Sequence, residues 1–160
     1  MSMAENGNDG QTPQATAGQQ SIGVITQYVK DLSFESPAAP QSIRSRTASP
    51  AINISVNVQT RGVQENEVEV ELRLEATAKD GETVLFAIEL VYAGLFRLTN
   101  IPQENVMPVV MIECPRLLFP FARQIIADAS RNGGFPPLLI DPIDFVQLYR
   151  QRLAQMQAAQ

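Results

Sequence analysis

Asp31 and Glu35 stand four residues apart in the segment YVKDLSFE. In a strand, side chains four apart leave the same face, roughly 13 Å from one another by strand rise. In the segment TVLFAIELVYAGLFRL (83–98), Ala87 and Glu89 fall on the polar side of a second strand. If both strands belong to one sheet, Asp31, Glu35, Ala87 and Glu89 share one flat acidic surface. The chemistry this offers is electrostatic docking of a basic partner. The plainer alternative is a solvated sheet face.

Bond-making chemistry is harder to find. The chain has no histidine, which removes the commonest general base and metal ligand near neutral pH and the usual Ser-His-Asp and Cys-His nucleophiles. Its one cysteine, Cys114, lies between Glu113 and Pro115 and reads as a small buried apolar residue. A four-ligand zinc site is not available, and neither GxxxxGK[ST] nor GxGxxG occurs. Gly94, after Ala93 in a strand, fits a bulge or close packing. The expectation is a protein that is not an enzyme, with no cofactor and no metal.

A second feature is the stretch NGGFPPLLIDPIDF (132–145). Its glycines and prolines exclude an ordinary helix or central strand, yet loops are usually polar surface. A loop this apolar asks for a binding role or a core role.

The elements that must carry these residues follow from periodicity. At 160 residues with 44% apolar content, one domain with a real core is expected. Residues 1–20 hold little to bury and are expected to form a disordered tail without the features of a signal peptide. The net charge of −5 argues against nucleic acid. A single cysteine suits a cytoplasmic home, and no apolar run approaches the roughly 20 residues of a membrane span. IGVITQYVKDLSFE (22–35) reads as a strand, with Tyr28, Lys30, Leu32 and Phe34 on one face and Val29, Asp31, Ser33 and Glu35 on the other. A Pro/Ser connection (36–51) permits a Greek-key-like crossover. INISVNVQT (52–60) alternates, with Ile52, Ile54, Val56 and Val58 together. EVEVELRLEATA (67–78) does the same with Val68, Val70, Leu72 and Leu74. Asp80-Gly81 marks a hairpin, and the fourth strand follows with Phe86, Ile88, Leu90 and Tyr92 on one face.

After Asn100 the period changes. A short helix is expected near Pro108, then a helix over 115–132 with Leu117, Phe121, Ile125 and Ala129 as its apolar stripe and Pro120 as a kink. The last helix is expected to open at Asp141, with Pro142 at its first position and a face of Phe145, Leu148, Tyr149, Leu153 and Met156. Residues 155–160 are expected to fray. The fold class is α+β: a four-stranded antiparallel sheet followed by C-terminal helices. Ile88, Leu90 and Tyr92 exceed what one helix layer obviously covers, which suggests self-association.

The segments YVKDLSFESPAAP (28–40), ELVYAGLFRL (89–98) and CPRLLFPFARQIIADASRNGGFPPLLIDPIDF (114–145) resemble SecB, the bacterial protein-export chaperone family, from about residue 22 to about residue 153. The resemblance implies a homotetramer, a dimer of dimers with helices sandwiched between two eight-stranded sheets. It implies ATP-independent holding of unfolded preproteins and delivery to the motor SecA. It places SecA contact at Asp31, Glu35, Ala87 and Glu89, though the family often has a larger apolar residue at the Ala87 position. It places Phe86, Ile88, Leu90 and Tyr92 in tetramer formation. It implies a client groove with Ile52, Ile54, Val56, Phe135, Pro136, Leu138, Tyr149 and Leu153 along it, with Gly133 and Gly134 letting the loop adapt. A SecB-like chaperone serving a toxin–antitoxin system is the alternative.

Overall fold

The computed structural model describes residues 18–44 and 49–159; most of the expected N-terminal tail therefore lies outside the described residues. Four strands form one antiparallel sheet: β1 (Ser21–Glu35), β2 (Ala51–Gln64), β3 (Glu67–Asp80) and β4 (Thr83–Thr99). Their spatial order is β1-β4-β3-β2. Strands β2, β3 and β4 are successive hairpins, and β1 returns over the long connection to lie beside β4, the Greek-key order expected. Gly81, at φ 59°, makes the β3–β4 turn, where Asp80 faces Thr83.

The apolar rows of β2 and β3 meet as the alternation requires. Ile52, Ile54, Val56 and Val58 pair with Ala78, Ala76, Leu74 and Leu72. Strand β1 breaks its own alternation. Val29 pairs with Tyr92 but Asp31 pairs with Val91, so Lys30 is the extra residue of a bulge. A one-residue insertion inverts the parity of everything beyond it. Tyr28 and Lys30 therefore belong to the outer face with Asp31, Ser33 and Glu35, and Val29 to the inner face with Leu32 and Phe34. This corrects the two-face assignment made from strict alternation.

Residues 103–132 run as α1 (Gln103–Pro108), a π-helical turn (Val109–Glu113) and α2 (Cys114–Asn132). Pro115 cannot donate to a preceding carbonyl, and the wider turn before it accommodates that gap. The 30-residue stretch is long and apolar enough to cross a membrane by length and composition, contrary to the reading of the sequence. Here it is a core helix. Cys114, Leu118, Ala122 and Ile126 are fully buried, with Val70, Leu72, Leu74 and Leu90 in the same core.

That buried row is one position out from the expected stripe. Leu117 and Phe121 are 44% and 53% exposed. Gly94 fixes the choice: a Cβ there would lie 2.9 Å from Leu118 Cδ2, so the glycine admits the Leu118 row close to the sheet. The last helix, α3 (Phe145–Ala158), starts three residues later than expected. Its N-cap is Asp144, whose side chain accepts the Gln147 N–H at 3.0 Å, as an N-cap carboxylate does. It continues through Ala158, into the segment expected to fray.

Candidate functional site

The loop 133–144 is tied down rather than adaptable. A Cβ on Gly133 would meet the Phe34 ring at 2.1 Å. Gly134 has φ 90°, a conformation other residues rarely adopt. Ser130, fully buried, accepts the Leu138 N–H at 2.8 Å, while its hydroxyl reaches the carbonyls of Ile126 and Ala127. The Phe135 N–H donates to the Ser130 carbonyl at 3.1 Å. These bonds replace the backbone partners a proline-rich loop lacks. They hold Phe135 and Leu138 against the sheet.

Phe135 completes an aromatic row. The ring of Phe86 is 4.8 Å from Phe135 and 5.8 Å from Phe34. Beside this row opens a hollow of about 540 Å³, lined among others by Ile43, Ile52, Leu85, Phe86, Phe135 and Leu138. Pro136 lies on its wall as well. A second hollow, of about 260 Å³, lies between β2 and α3, with Val56, Val58, Met111, Leu148, Tyr149 and Arg152 on its wall. The Arg152 guanidinium donates to the Val58 carbonyl and fastens α3 to the sheet edge.

Seven of the eight groove residues named from the sequence fall along this line. Ile52, Phe135, Pro136 and Leu138 line the first hollow, and Val56 and Tyr149 the second. Ile54, half open to solvent, sits between them on the same face of β2. Leu153 is exposed on α3 and lines neither hollow. Sequence reasoning missed Ile43, Leu85, Met111 and Ser130. A serine in the last turn of a helix carries no signal of what it will anchor.

The four acidic-face positions also come together. Glu35 pairs with Ala87, Ser33 with Glu89 and Asp31 with Val91, all on the face away from the helices. Glu75 pairs with Glu89 from the other side and enlarges the negative surface. At the other end of this face a polar strap crosses the sheet. The Tyr28 hydroxyl donates to Glu69, and Lys30 Nζ lies 3.1 Å from Glu69 Oε1 and 2.5 Å from Glu71 Oε1. Arg61 reaches Glu69 at 3.3 Å. The hydrogen bond from Tyr28 is the foremost reason Glu69 ionises below its ordinary range, with Lys30 and Arg61 adding to it. Burial, and then the bond to Glu69, pushes the Tyr28 phenol up to about 12.

Phe86, Ile88, Leu90 and Tyr92 are buried by the chain's own helices and loop. They are core, so the argument that a single helix layer leaves them uncovered does not hold. What stays open is a different surface. Val24, Val29 and Leu32 on the inner face of β1 are nearly half exposed, as are Leu117 and Phe121 on α2. The Phe121 ring stacks on Tyr92 at 6.4 Å.

Residues 15–156 match the family described as SecB, preprotein translocase subunit SecB. The chain belongs to the SecB family. It is 59% identical to the protein-export protein SecB of Rhodopseudomonas palustris strain HaA2, covering 95% of each chain. It is 57% identical to that of Agrobacterium fabrum, covering 97% of this chain and 93% of the other. Among solved structures, a Mycobacterium tuberculosis SecB-like chaperone in complex with a ChAD peptide from the HigA1 antitoxin superposes with a TM-score of 0.64 at 11% identity, covering 76% of this chain and 90% of that one. That likeness shows the fold alone. The near-full-length identity to export proteins decides between export and the toxin–antitoxin alternative. This member of the family is a cytoplasmic protein-export chaperone and not an enzyme.

Proposed function

We propose that this chain holds unfolded preproteins in the groove running along the inner face of β2, and passes them to SecA through the acidic outer face. The observation that carries the groove is the succession of Phe135, Ile52, Ile54, Val56 and Tyr149 with two hollows and a half-open bridge between them. Unfolded chains expose apolar side chains, whose burial is worth roughly 25 cal/mol per Å². Aromatic walls supply large contact area without demanding one sequence. Release needs no nucleotide, because SecA binds elsewhere and takes the client.

The working unit is a dimer of dimers. Strand β1 is an edge of 15 residues with free backbone groups and an apolar inner face, which invites pairing with a second copy. Two chains joined there make an eight-stranded sheet. The open stripe of Leu117 and Phe121 then meets its counterpart between two such sheets. Phe86, Ile88, Leu90 and Tyr92 support this assembly from beneath, by setting the position of α2.

The test separates the two surfaces. Asp31→Ala, Glu35→Ala and Glu89→Ala together should weaken SecA binding and leave suppression of client aggregation unchanged. Equal loss of both activities rejects the division.

A further inference from the structure

We propose that Lys30, held between Glu69 and Glu71, is a positioning residue for the acidic face: it fixes which residue of β1 occupies the bulge, and so keeps Asp31 in line with Glu35 and Glu89. This rests on the reading of that face as the SecA docking surface.

Two anchors fix β1 on either side of the bulge. Beyond it, Phe34 is stacked on Phe86 and seated against Gly133. Before it, Tyr28 bonds Glu69 across the sheet. Between the anchors one residue too many must be housed, and Val29, Lys30 or Asp31 could be the extra one. With the bulge at Lys30, Asp31 pairs with Val91 and faces outward. With the bulge at Asp31, Lys30 would take the place opposite Val91, and Asp31 would become the unpaired residue, its carboxylate still outward but shifted from its paired position relative to Glu35 and Glu89. Leu32 and Phe34 would not move in either case. Apolar burial therefore does not choose between these two arrangements.

The strap does choose. Lys30 Nζ reaches both Glu69 and Glu71 of β3, across the intervening β4. The crossing is possible because β4 carries only Ala93 there, which pairs with Tyr28 on one side and Glu71 on the other. Ala93 is fully covered as a result. Glu69, 6% exposed, is held by Tyr28 and Arg61 besides Lys30, so the lysine grips a fixed point.

The sign of the effect discriminates this role from simple charge. Lys30→Met makes the face one unit more negative, and through-space attraction to a basic partner would tighten binding. Loss of positioning weakens it. In the intact assembly, Lys30→Met is expected to reduce SecA affinity by about as much as Asp31→Ala, on the order of threefold for an exposed ionic contact. The double variant should lose no more than either single one, since both remove the same contact. Lys30→Arg should restore binding. Amide exchange across Val29–Leu32 should rise in Lys30→Met while client holding stays intact. Tighter or unchanged SecA binding, additive losses, or unaltered exchange over Val29–Leu32 overturns the proposal. If instead the Asp31, Glu35 and Glu89 triple variant binds SecA normally, the docking reading fails, and the exchange measurement still decides whether Lys30 sets the bulge.

Discussion

The ring of Phe34 occupies the space where a side chain on Gly133 would begin, 2.1 Å from the position of a Cβ. This contact joins the two proposed binding surfaces. Phe34 lies on the strand that carries Asp31 and Glu35, and Gly133 opens the loop that carries Phe135 and Leu138. Gly133→Ala must push the ring or the loop away. Overpacking of this kind costs about 1–3 kcal/mol. The expected outcome is a lower Tm together with weaker client holding, checked by calorimetry and an aggregation-suppression assay. A Gly133→Ala protein with unchanged Tm would mean the ring moves freely and the surfaces are not mechanically joined.

The open stripe of α2 gives a separate expectation. Phe121→Glu places a charge on a surface that is solvent-exposed in one chain, so the chain should still fold. In the dimer of dimers the same charge would be buried without a partner, which is strongly unfavourable. Light scattering should report species smaller than the tetramer, with near-native circular dichroism. Leu90→Arg should behave differently. Leu90 is fully buried within the single chain, so its variant should lose the fold itself and yield aggregated or unfolded protein. A folded Leu90→Arg dimer would contradict the burial of that side chain.

These two residues also show where the sequence was readable. The alternation of β2 and β3 gave the correct inner row, because no bulge interrupts Ile52–Val58 or its partners Leu72–Ala78. In β1 the same reasoning failed at Lys30, since a bulge leaves no periodic mark and depends on contacts with Glu69 and Glu71 forty residues away. On α2 two rows repeat at i+4, Leu117–Phe121–Ile125 and Leu118–Ala122–Ile126. Both are apolar, and only the close approach at Gly94 determines which meets the sheet. Asp141-Pro and Asp144 both resemble a helix start. The latter prevails because its carboxylate meets the Gln147 N–H. Family resemblance named most of the residues that line the two hollows, whereas Ser130, which anchors the loop beside them, was not named.

The strap from Tyr28 to Glu71 predicts a defined pH window. Glu69 ionises lower in the folded chain than its ordinary value of 4.5. Its contribution is therefore present above that value and is lost as pH falls through the lower folded one. The hydrogen bond to Glu71, and then that to Glu69, raises Lys30 above 10.5. Its contribution is full below 10.5 and is lost as pH rises through the folded value. Tyr28, raised from 10.0 to about 12, also contributes below 10 and loses that contribution towards 12. Stability from the strap should thus be level between about 4.5 and 10 and fall on both sides. Glu69→Gln should lower Tm within the plateau and flatten the loss on the acid side. A variant whose Tm tracks the parent protein at every pH would show that Glu69 holds no special protonation.

The groove makes its sharpest prediction at Ile54, the bridge between the two hollows. A short peptide that fills only one hollow does not need Ile54. A long client that occupies both must cross it, and linked weak contacts multiply into tight binding only when both are engaged together. Ile54→Asp should therefore leave the affinity of a short peptide within about twofold and weaken a long unfolded client by tenfold or more, on the arithmetic of effective concentration. Leu139→Asp is the control: Leu139 is more exposed than Ile54 but lines neither hollow, so it should alter neither affinity. Fluorescence anisotropy with one labelled peptide and one labelled denatured preprotein measures both. Equal weakening of the two ligands by Ile54→Asp would mean that Ile54 belongs to a single site, and that the hollows do not act as one continuous channel.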